Sequence, residues 1–329
     1  MTAQRPWASA RSRLLGLVLA LALPWASAQS TAYVSSEKDH AIAVLDLKTR
    51  SVTSTIGTCK RPRHLQLTPD GKQLLVACSE SNQADVIDLA TRKSVRRFAL
   101  GDNPEAFDLS PDGKTLYVSQ EDEGTLIFVD AASGKTLQSV PIGKEPEGVK
   151  VTRDGRTVYV SSEVANMVHV VDVAGARLLK NIKVGKRPRR FALTPDGSQL
   201  WVTNELDASV SIIDTKDQTV AGTLRFELKG ARTSDITPVG ITMSRDGKRA
   251  FVALGRANHV AFVDVATRKV SDLVLVGKRP WSVALDQAET TLYVVNGLSD
   301  DLTIVDVASA KALKTVKVGR VPYTVVLVE

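Results

Sequence analysis

Seven prolines and seven aspartates that recur every 42 residues, with four short strand patterns inside each period, predict an all-β chain folded as a seven-bladed β-propeller. The prolines are Pro62, Pro104, Pro146, Pro188, Pro238, Pro280 and Pro322, with successive gaps of 42, 42, 42, 50, 42 and 42. The aspartates close apolar runs at Asp46, Asp88, Asp130, Asp172, Asp214, Asp264 and Asp306, with gaps of 42, 42, 42, 42, 50 and 42. Together the two markers place eight extra residues between Asp214 and Pro238. A period of this length belongs to a solenoid, a propeller or an array.

Residues 101–142, GDNPEAFDLSPDGKTLYVSQEDEGTLIFVDAASGKTLQSVPI, decide among these. AFDLS is short and apolar. SPDGK follows, with a proline preset for a turn and a glycine free to take positive φ. TLYVS is a second strand, QEDEG a polar loop, TLIFVD a third strand, AASGK a tight turn and TLQSVPI a fourth strand. Four short strands joined by hairpins make one antiparallel sheet. No stretch keeps a helical period. Four-stranded units repeated at this length indicate a propeller, since a solenoid coil needs far fewer residues per turn. At the ends, YTVVLVE supplies one strand, and AYVSS, AIAVLDL and SVTSTIG supply three. The last blade is therefore expected to close with N- and C-terminal strands, which removes exposed sheet edges. One propeller domain is expected over residues 29–329.

The first 28 residues have another character. Arg5, Arg11 and Arg13 precede the apolar run Leu14 to Leu23, and Ala26-Ser27-Ala28 offers a small-residue cleavage site. This pattern is a secretory signal over residues 1–28. Ten apolar residues are too few to span a bilayer, and no second run of spanning length follows. The expected location is the periplasm, with no membrane span after cleavage. The formal net charge is +7, and residues 1–28 hold three Arg and no acid, so the remainder carries 7 − 3 = +4. So mild a balance, on an exported chain, argues against nucleic acid as a partner.

The most basic stretches are KRPRHLQLTPDG at 60–71 and KRPRRFALTPDG at 186–197. They lie three periods apart, so each is first a repeated turn. It sits where the outer strand of one blade crosses to the innermost strand of the next, near the axis. The loops between second and third strands open on the same face.

In blade order, the residue after each ring proline is Arg63, Glu105, Glu147, Arg189, Val239, Trp281 and Tyr323. His64 and Arg190 extend the basic positions. A mouth half ionic and half aromatic suits a flat anionic aromatic small molecule: arginine grips carboxylates with two parallel hydrogen bonds, and an indole stacks on a ring. The expected ligand-binding residues are Arg63, His64, Glu105, Glu147, Arg189, Arg190, Trp281 and Tyr323. The alternative is structural. Arg63 with Glu105, and Glu147 with Arg189, can pair across adjacent blades, while the aromatics plug the channel. A second ring is Glu37, Glu80, Glu121, Glu163 and Glu205, replaced by Gly255 and Gly297 in two blades. These acids face a partner, or stay solvated or locally paired. RFELKGARTSDIT, 225–237, breaks the symmetry on this face, as a partner site, a lid or a surface excursion.

Cys59 and Cys78 form an even pair in an oxidising compartment, and both lie toward one face of one blade, so a disulfide is expected. His40, His64, His169 and His259 occupy different repeat positions, and no metal site is expected. No nucleophile elbow, phosphate-binding loop, dinucleotide fingerprint or Cys-x-x-Cys-His haem attachment occurs.

The unit Pro-x6-Pro-Asp-Gly-Lys-x-Leu-Tyr-Val-Ser resembles the YVTN-type propeller repeat. YVSS at 33, YVSQ at 117, YVSS at 159, WVTN at 201, FVAL at 251 and YVVN at 293 carry it. Through KRPRHLQLTPDG, NPEAFDLSPDG, EPEGVKV, KRPRRFALTPDG, TPVGITMSRDGKRAFVALGRANHVAFVD and KRPWSVAL, the chain is similar to periplasmic propellers associated with pyrroloquinoline quinone (PQQ)-dependent alcohol catabolism. That resemblance implies an accessory role beside a quinoprotein dehydrogenase, with no established catalytic role of its own. PQQ or an aromatic acid fits the ionic and aromatic mouth as a ligand, another periplasmic protein is the alternative partner, and no covalently bound cofactor is expected. It does not imply the dehydrogenase itself, which resembles an eight-bladed propeller with tryptophan docking repeats. Here only four Trp occur, with Trp7 and Trp25 in the signal region.

Three functional readings follow. The first is a non-catalytic periplasmic propeller that binds a small anion or a partner protein. The second is an enzyme of lactonase or lyase type, with His64, Glu105, Glu147 and Arg189 as acid, base and anion clamp. The third is a pure protein-interaction scaffold.

Overall fold

The computed structural model describes residues 1–4 and 30–329. The export segment read over residues 1–28 lies, beyond residue 4, outside the described residues. Twenty-eight strands form seven four-stranded antiparallel sheets. Blade 1 takes its innermost strand, Pro322–Val328, from the C-terminal end and Thr31–Ser36, Ala41–Asp46 and Ser51–Gly57 from the other. Blades 2 to 7 follow in chain order, beginning at Pro62, Pro104, Pro146, Pro188, Ile241 and Pro280. Among the described residues, no helix is long and apolar enough to cross a membrane.

The repeated residues build repeated contacts. Each aspartate of the second ruler caps the turn to the outer strand. Asp88 Oδ1 accepts from the Thr91 N–H at 2.8 Å, and Asp264 Oδ1 from the Thr267 N–H at 2.7 Å. Such Asx turns satisfy backbone donors that the ladder leaves over. Between blades, apolar side chains from facing sheets interlock. Leu75 and Val86 of blade 2 meet Phe107, Leu116 and Val118 of blade 3, all buried. Each such side chain contributes about 1.5–3 kcal/mol when fully buried.

The serine or threonine of the YVTN-like motif stitches neighbouring blades at the axis. The inner strands bulge just after the ring proline, as between Pro146 and Val149 and between Pro188 and Phe191. A bulge frees backbone groups from the ladder, and a hydroxyl recovers them. Ser161 Oγ accepts from the Gly148 N–H at 2.8 Å and donates to the Arg189 carbonyl of the next blade at 2.7 Å. Ser35, Ser119 and Thr203 donate in the same way to the carbonyls of Arg63, Glu147 and Val239.

A second stitch holds the crossings. The residue before the ring proline is left-handed in six blades, including Arg61 (φ 56°), Arg187 (φ 55°) and Arg279 (φ 58°). That conformation disfavours side chains with a Cβ, so something must hold it. The N–H groups of Arg61, Arg187 and Arg279 donate to His40 Nδ1 (3.1 Å), Asn166 Oδ1 (2.9 Å) and Asn258 Oδ1 (2.9 Å) of the preceding blade. These latches fix three guanidinium stems at the rim of the axis.

In blade 2 the strand-to-crossing tie is covalent. Ser36 Oγ and Ser162 Oγ donate to the crossing carbonyls of Arg320 and Lys144. At the matching position, Cys78 forms a disulfide with Cys59, with Cα atoms 5.7 Å apart. The 225–237 segment is anchored rather than free. Phe226 and Ile236 are buried beside Trp201 and Leu254, between blades 5 and 6. It shortens the inner strand of blade 6 to Ile241–Met243.

Candidate functional site

The ring residues do not form an open mouth. Arg63, Glu105, Glu147, Arg189 and Tyr323 are all at least 92% buried, and they bond to one another across the axis. Arg63 Nη1 donates to Glu105, and Arg189 Nη1 to Glu163 of the second ring. Glu147 Oε1 forms ion pairs with Arg190 Nη2 at 2.9 Å and Arg189 Nη2 at 3.3 Å. The Tyr323 hydroxyl is the hub. It accepts from Arg63 Nη2 at 2.8 Å and Arg190 Nη2 at 3.0 Å, and donates to Glu147 Oε1 at 3.3 Å. Arg189 Nη2, at 3.4 Å, is a third and longer donor, so the hydroxyl's two lone pairs are shared among three guanidinium groups while its one proton goes to Glu147. The layer is an ionic plug.

The expectation of a single ligand mouth is corrected on this point. The pairing of Arg63 with Glu105 and of Glu147 with Arg189 is the arrangement found, and the plug separates two cavities. His64 and Arg190 line a cavity of about 250 Å³ on the face away from the crossings, with Phe107, Lys150 and Phe191. Arg63, Glu147 and Arg189 floor a cavity of about 310 Å³ on the crossing face. Trp281 and Tyr323 border both cavities, and Glu105 borders neither. The acid, base and clamp of the enzymatic reading are likewise not assembled. His64 stands edge-on to Phe107 at 4.7 Å, and it makes no hydrogen bond to Glu105, Glu147 or Arg189 among the described residues.

Burial and neighbours set the protonation of the plug. Burial and Arg190 push the His64 imidazole down to about 3, so it is neutral. Burial pushes Glu147 upward, but Arg189, Arg190 and Arg63 outweigh it and hold the carboxyl far below the usual range. Burial and the adjacent Glu147 raise Glu105 well above the usual carboxylate range, against Arg63. Its Oε2 is buried without a hydrogen-bond partner, which a neutral carboxyl tolerates better than a carboxylate. Burial raises Glu163 to about 7, despite Arg189 and Arg187.

Three acids of the second ring turn inward. Glu37, Glu163 and Glu205 are buried and pair with Arg61, Arg63, Arg187, Arg189 and Arg279. Glu80 is exposed, and Glu121 is half-buried, accepting from Asn103 Nδ2 at 2.8 Å. The two glycines that replace the acid make room. A Cβ on Gly255 would stand 2.2 Å from Thr237 Oγ1 of the inserted segment, and one on Gly297 would stand 2.0 Å from Trp281 Nε1. The indole of Trp281 thus takes the space next to Gly297.

The crossing-face cavity has an excess of guanidinium groups. Arg61, Arg63, Arg187, Arg189, Arg256 and Arg279 line it against Glu37, Glu121, Glu147 and Glu205, six cations to four acids. Arg256 has no ion-pair partner among the described residues; its backbone N–H donates to Thr237 Oγ1 at 2.8 Å. Arg279 lies 4.6 Å over the Trp281 ring. Arg279 Nε and Trp281 Nε1 are donors without a partner. The rim arginines Arg61, Arg187, Arg256 and Arg279 fall outside the expected ligand-binding residues, although the KRPR turns that hold Arg61 and Arg187 stood out in the sequence. A signal for three of them was present, since Arg precedes the ring proline in each KRP crossing.

Fold and site define a seven-bladed β-propeller with a plugged axis and a guanidinium-lined mouth. Three family models match parts of the chain: a YNCE-like beta-propeller over residues 7–97, a seven-bladed beta-propeller lactonase over 135–231 and, overlapping it, a choice-of-anchor I domain over 207–326. Each covers less than half of the chain. No curated relative matches. Among solved structures, hydrazine synthase of Kuenenia stuttgartiensis is 23% identical, covering 84% of this chain and 92% of that one, with TM-score 0.75. A protein from Lactobacillus plantarum is 18% identical over 92% and 99%, with TM-score 0.78. Dihydro-heme d1 dehydrogenase NirN in complex with DHE is 14% identical over 90% and 74%, with TM-score 0.68. At these identities the likeness is one of fold.

Proposed function

We propose that this chain is a non-catalytic binding propeller, exported to the periplasm, whose crossing-face mouth recognises carboxylate groups. The observation that carries this is the guanidinium lining of the mouth: six arginines border it, Arg256 is exposed and makes no close ion pair among the described residues, and Arg279 is stacked on Trp281. Carboxylates fit guanidinium forks with two parallel bonds, and the low local dielectric of a half-enclosed mouth strengthens them. The plug beneath is internally paired and serves as a rigid floor.

The resemblance to PQQ-associated propellers supports a role beside a quinoprotein dehydrogenase. PQQ, a flat polycarboxylate, is therefore the first probe. Titration calorimetry of the processed protein with PQQ should show saturable binding that weakens at least tenfold in Arg256→Gln and Arg279→Gln. Binding untouched by both changes would remove the mouth from the function. If neither PQQ nor any acidic peptide binds, the carboxylate reading fails altogether.

A further inference from the structure

The departures from sevenfold symmetry gather in one sector of the crossing face. On the loops between second and third strands, the residue after the ring acid is Lys38, Ser81 and Asp122 in blades 1 to 3. In blades 4 to 7 it is Val164, Leu206, Arg256 and Leu298. Val164, Leu206 and Leu298 are 56%, 52% and 64% exposed. Their loops are held in a common geometry: the Leu206 and Leu298 N–H groups donate to the crossing carbonyls of Lys186 and Lys278 at 3.1 and 3.0 Å. The inserted segment and the glycine replacements Gly255 and Gly297 fall in the same sector. So does Trp281.

Only Leu206 of the three apolar residues borders the mouth cavity; Val164 and Leu298 stand outside it. A small molecule filling about 310 Å³ would leave those two in water. An occupant that covers them must reach over the rim. Exposed cations surround the apolar positions: Lys186 at the crossing into blade 5, Lys229 on the insertion, Arg256 and Lys278. The exposed acids Asp122 and Glu123 lie on blade 3, outside this sector; within it Glu145, at the crossing into blade 4, and Glu227, on the insertion, are exposed acids beside the four cations. Apolar anchors set among cations beside an arginine-lined pocket are complementary to acidic side chains flanked by apolar ones.

We infer that the mouth takes its carboxylates from an acidic segment of a partner protein. One or two Asp or Glu side chains of that segment enter among Arg187, Arg256 and Arg279, and its flanking apolar side chains cover Val164, Leu206 and Leu298. This inference rests on the carboxylate reading of the mouth and adds the source of the carboxylate. Specificity then has two parts. The arginines select charge, and the apolar tips reject a free anion that cannot bury them.

The test is selection of displayed random twelve-residue peptides on the processed protein, followed by calorimetry of the enriched sequences as blocked peptides. The expected result is enrichment of Asp or Glu next to Leu, Ile, Val or Phe. Affinity should fall at least tenfold in the Leu206→Ser/Leu298→Ser double variant and in Arg256→Gln, with unchanged melting of both variants. PQQ binding should survive Val164→Ser/Leu298→Ser, which leaves the cavity lining untouched. Enriched peptides without acids, no enrichment, or peptide binding indifferent to the leucines would overturn the inference. PQQ binding without peptide binding would overturn it while leaving the carboxylate mouth standing. Concentration-dependent self-association abolished by the double leucine change would seat a second copy on this face and also overturn it.

Discussion

Blades 2 to 5 and blades 6, 7 and 1 contribute to one ring by opposite means. The first group supplies Arg63, Glu105, Glu147 and Arg189, whose charges are spent on each other and on Glu37 and Glu163. The second supplies Val239, Trp281 and Tyr323, which carry no formal charge. In blades 6 and 7 the loop acid has become Gly255 and Gly297, so Arg256 and Arg279 meet fewer carboxylates. One half of the axis is therefore neutralised internally; in the other, Arg279 keeps Glu205 as its one carboxylate and Arg256 is turned toward solvent. Charge that is already paired and buried builds structure. Charge left unpaired at a rim is available to a ligand.

Removing a hub of the paired half should have the largest effect. Glu147→Ala strands Arg190 near a buried phenol and leaves Arg189 with Glu163 and Glu205, and breaking a buried pair from one side costs about 3–5 kcal/mol. Trp281→Ala, in the open half, should cost only about 1–2 kcal/mol through its lost cation contacts. Urea unfolding of both variants checks the contrast. Equal losses would erase the distinction between the halves.

Next in size is the covalent tie of blade 2. The double Cys59→Ser/Cys78→Ser variant reopens a sequence separation of 19 residues and should lose about 3 kcal/mol. Ser36→Ala removes the hydrogen-bonded equivalent in blade 1 and should lose about 1 kcal/mol. Melting curves of the two, side by side, measure how much the covalent version adds.

Refilling a vacated loop position sharpens the open half. Gly297→Glu places a Cβ about 2.0 Å from Trp281 Nε1, so the indole must leave. Overpacking of this kind costs about 1–3 kcal/mol. Affinity for PQQ or an acidic peptide should fall with it, because a carboxylate now competes for Arg279. Retained affinity together with an intact fold would show that the mouth does not use this arginine.

The last effect is on pH. Glu163 is raised from 4.5 to about 7 in the folded state. Its contribution is therefore complete below 4.5 and is lost as pH rises through about 7. Glu105 acts in the same direction, and Glu147, held low, acts in the opposite one. Glu163→Gln should flatten the fall in melting temperature between about pH 5 and 8. An unchanged slope would exclude Glu163 as its source.

Much of this was legible in the chain itself. The blade count, the strand patterns, the closing aspartates and the face carrying the crossings all follow from period and turn chemistry, which act locally and repeat. The pairing of ring neighbours also stood among the readings, since residues 42 apart fall on adjacent blades. The burial of the second-ring acids Glu37, Glu163 and Glu205 was not legible, because loop acids ordinarily remain in water. Nor was the separation of His64 from Glu147 and Arg189. In six blades the inner strand bulges after the ring proline, and that bulge decides which side of the plug a side chain meets.

The sequence by itself determined a sevenfold β architecture, because hydrogen-bonding ladders, turn residues and alternating apolar positions are properties of short stretches. Only the tertiary structure decided which charges cancel and which stay open. That depends on where seven distant segments converge on one axis, and on two glycines whose missing side chains admit Thr237 and Trp281.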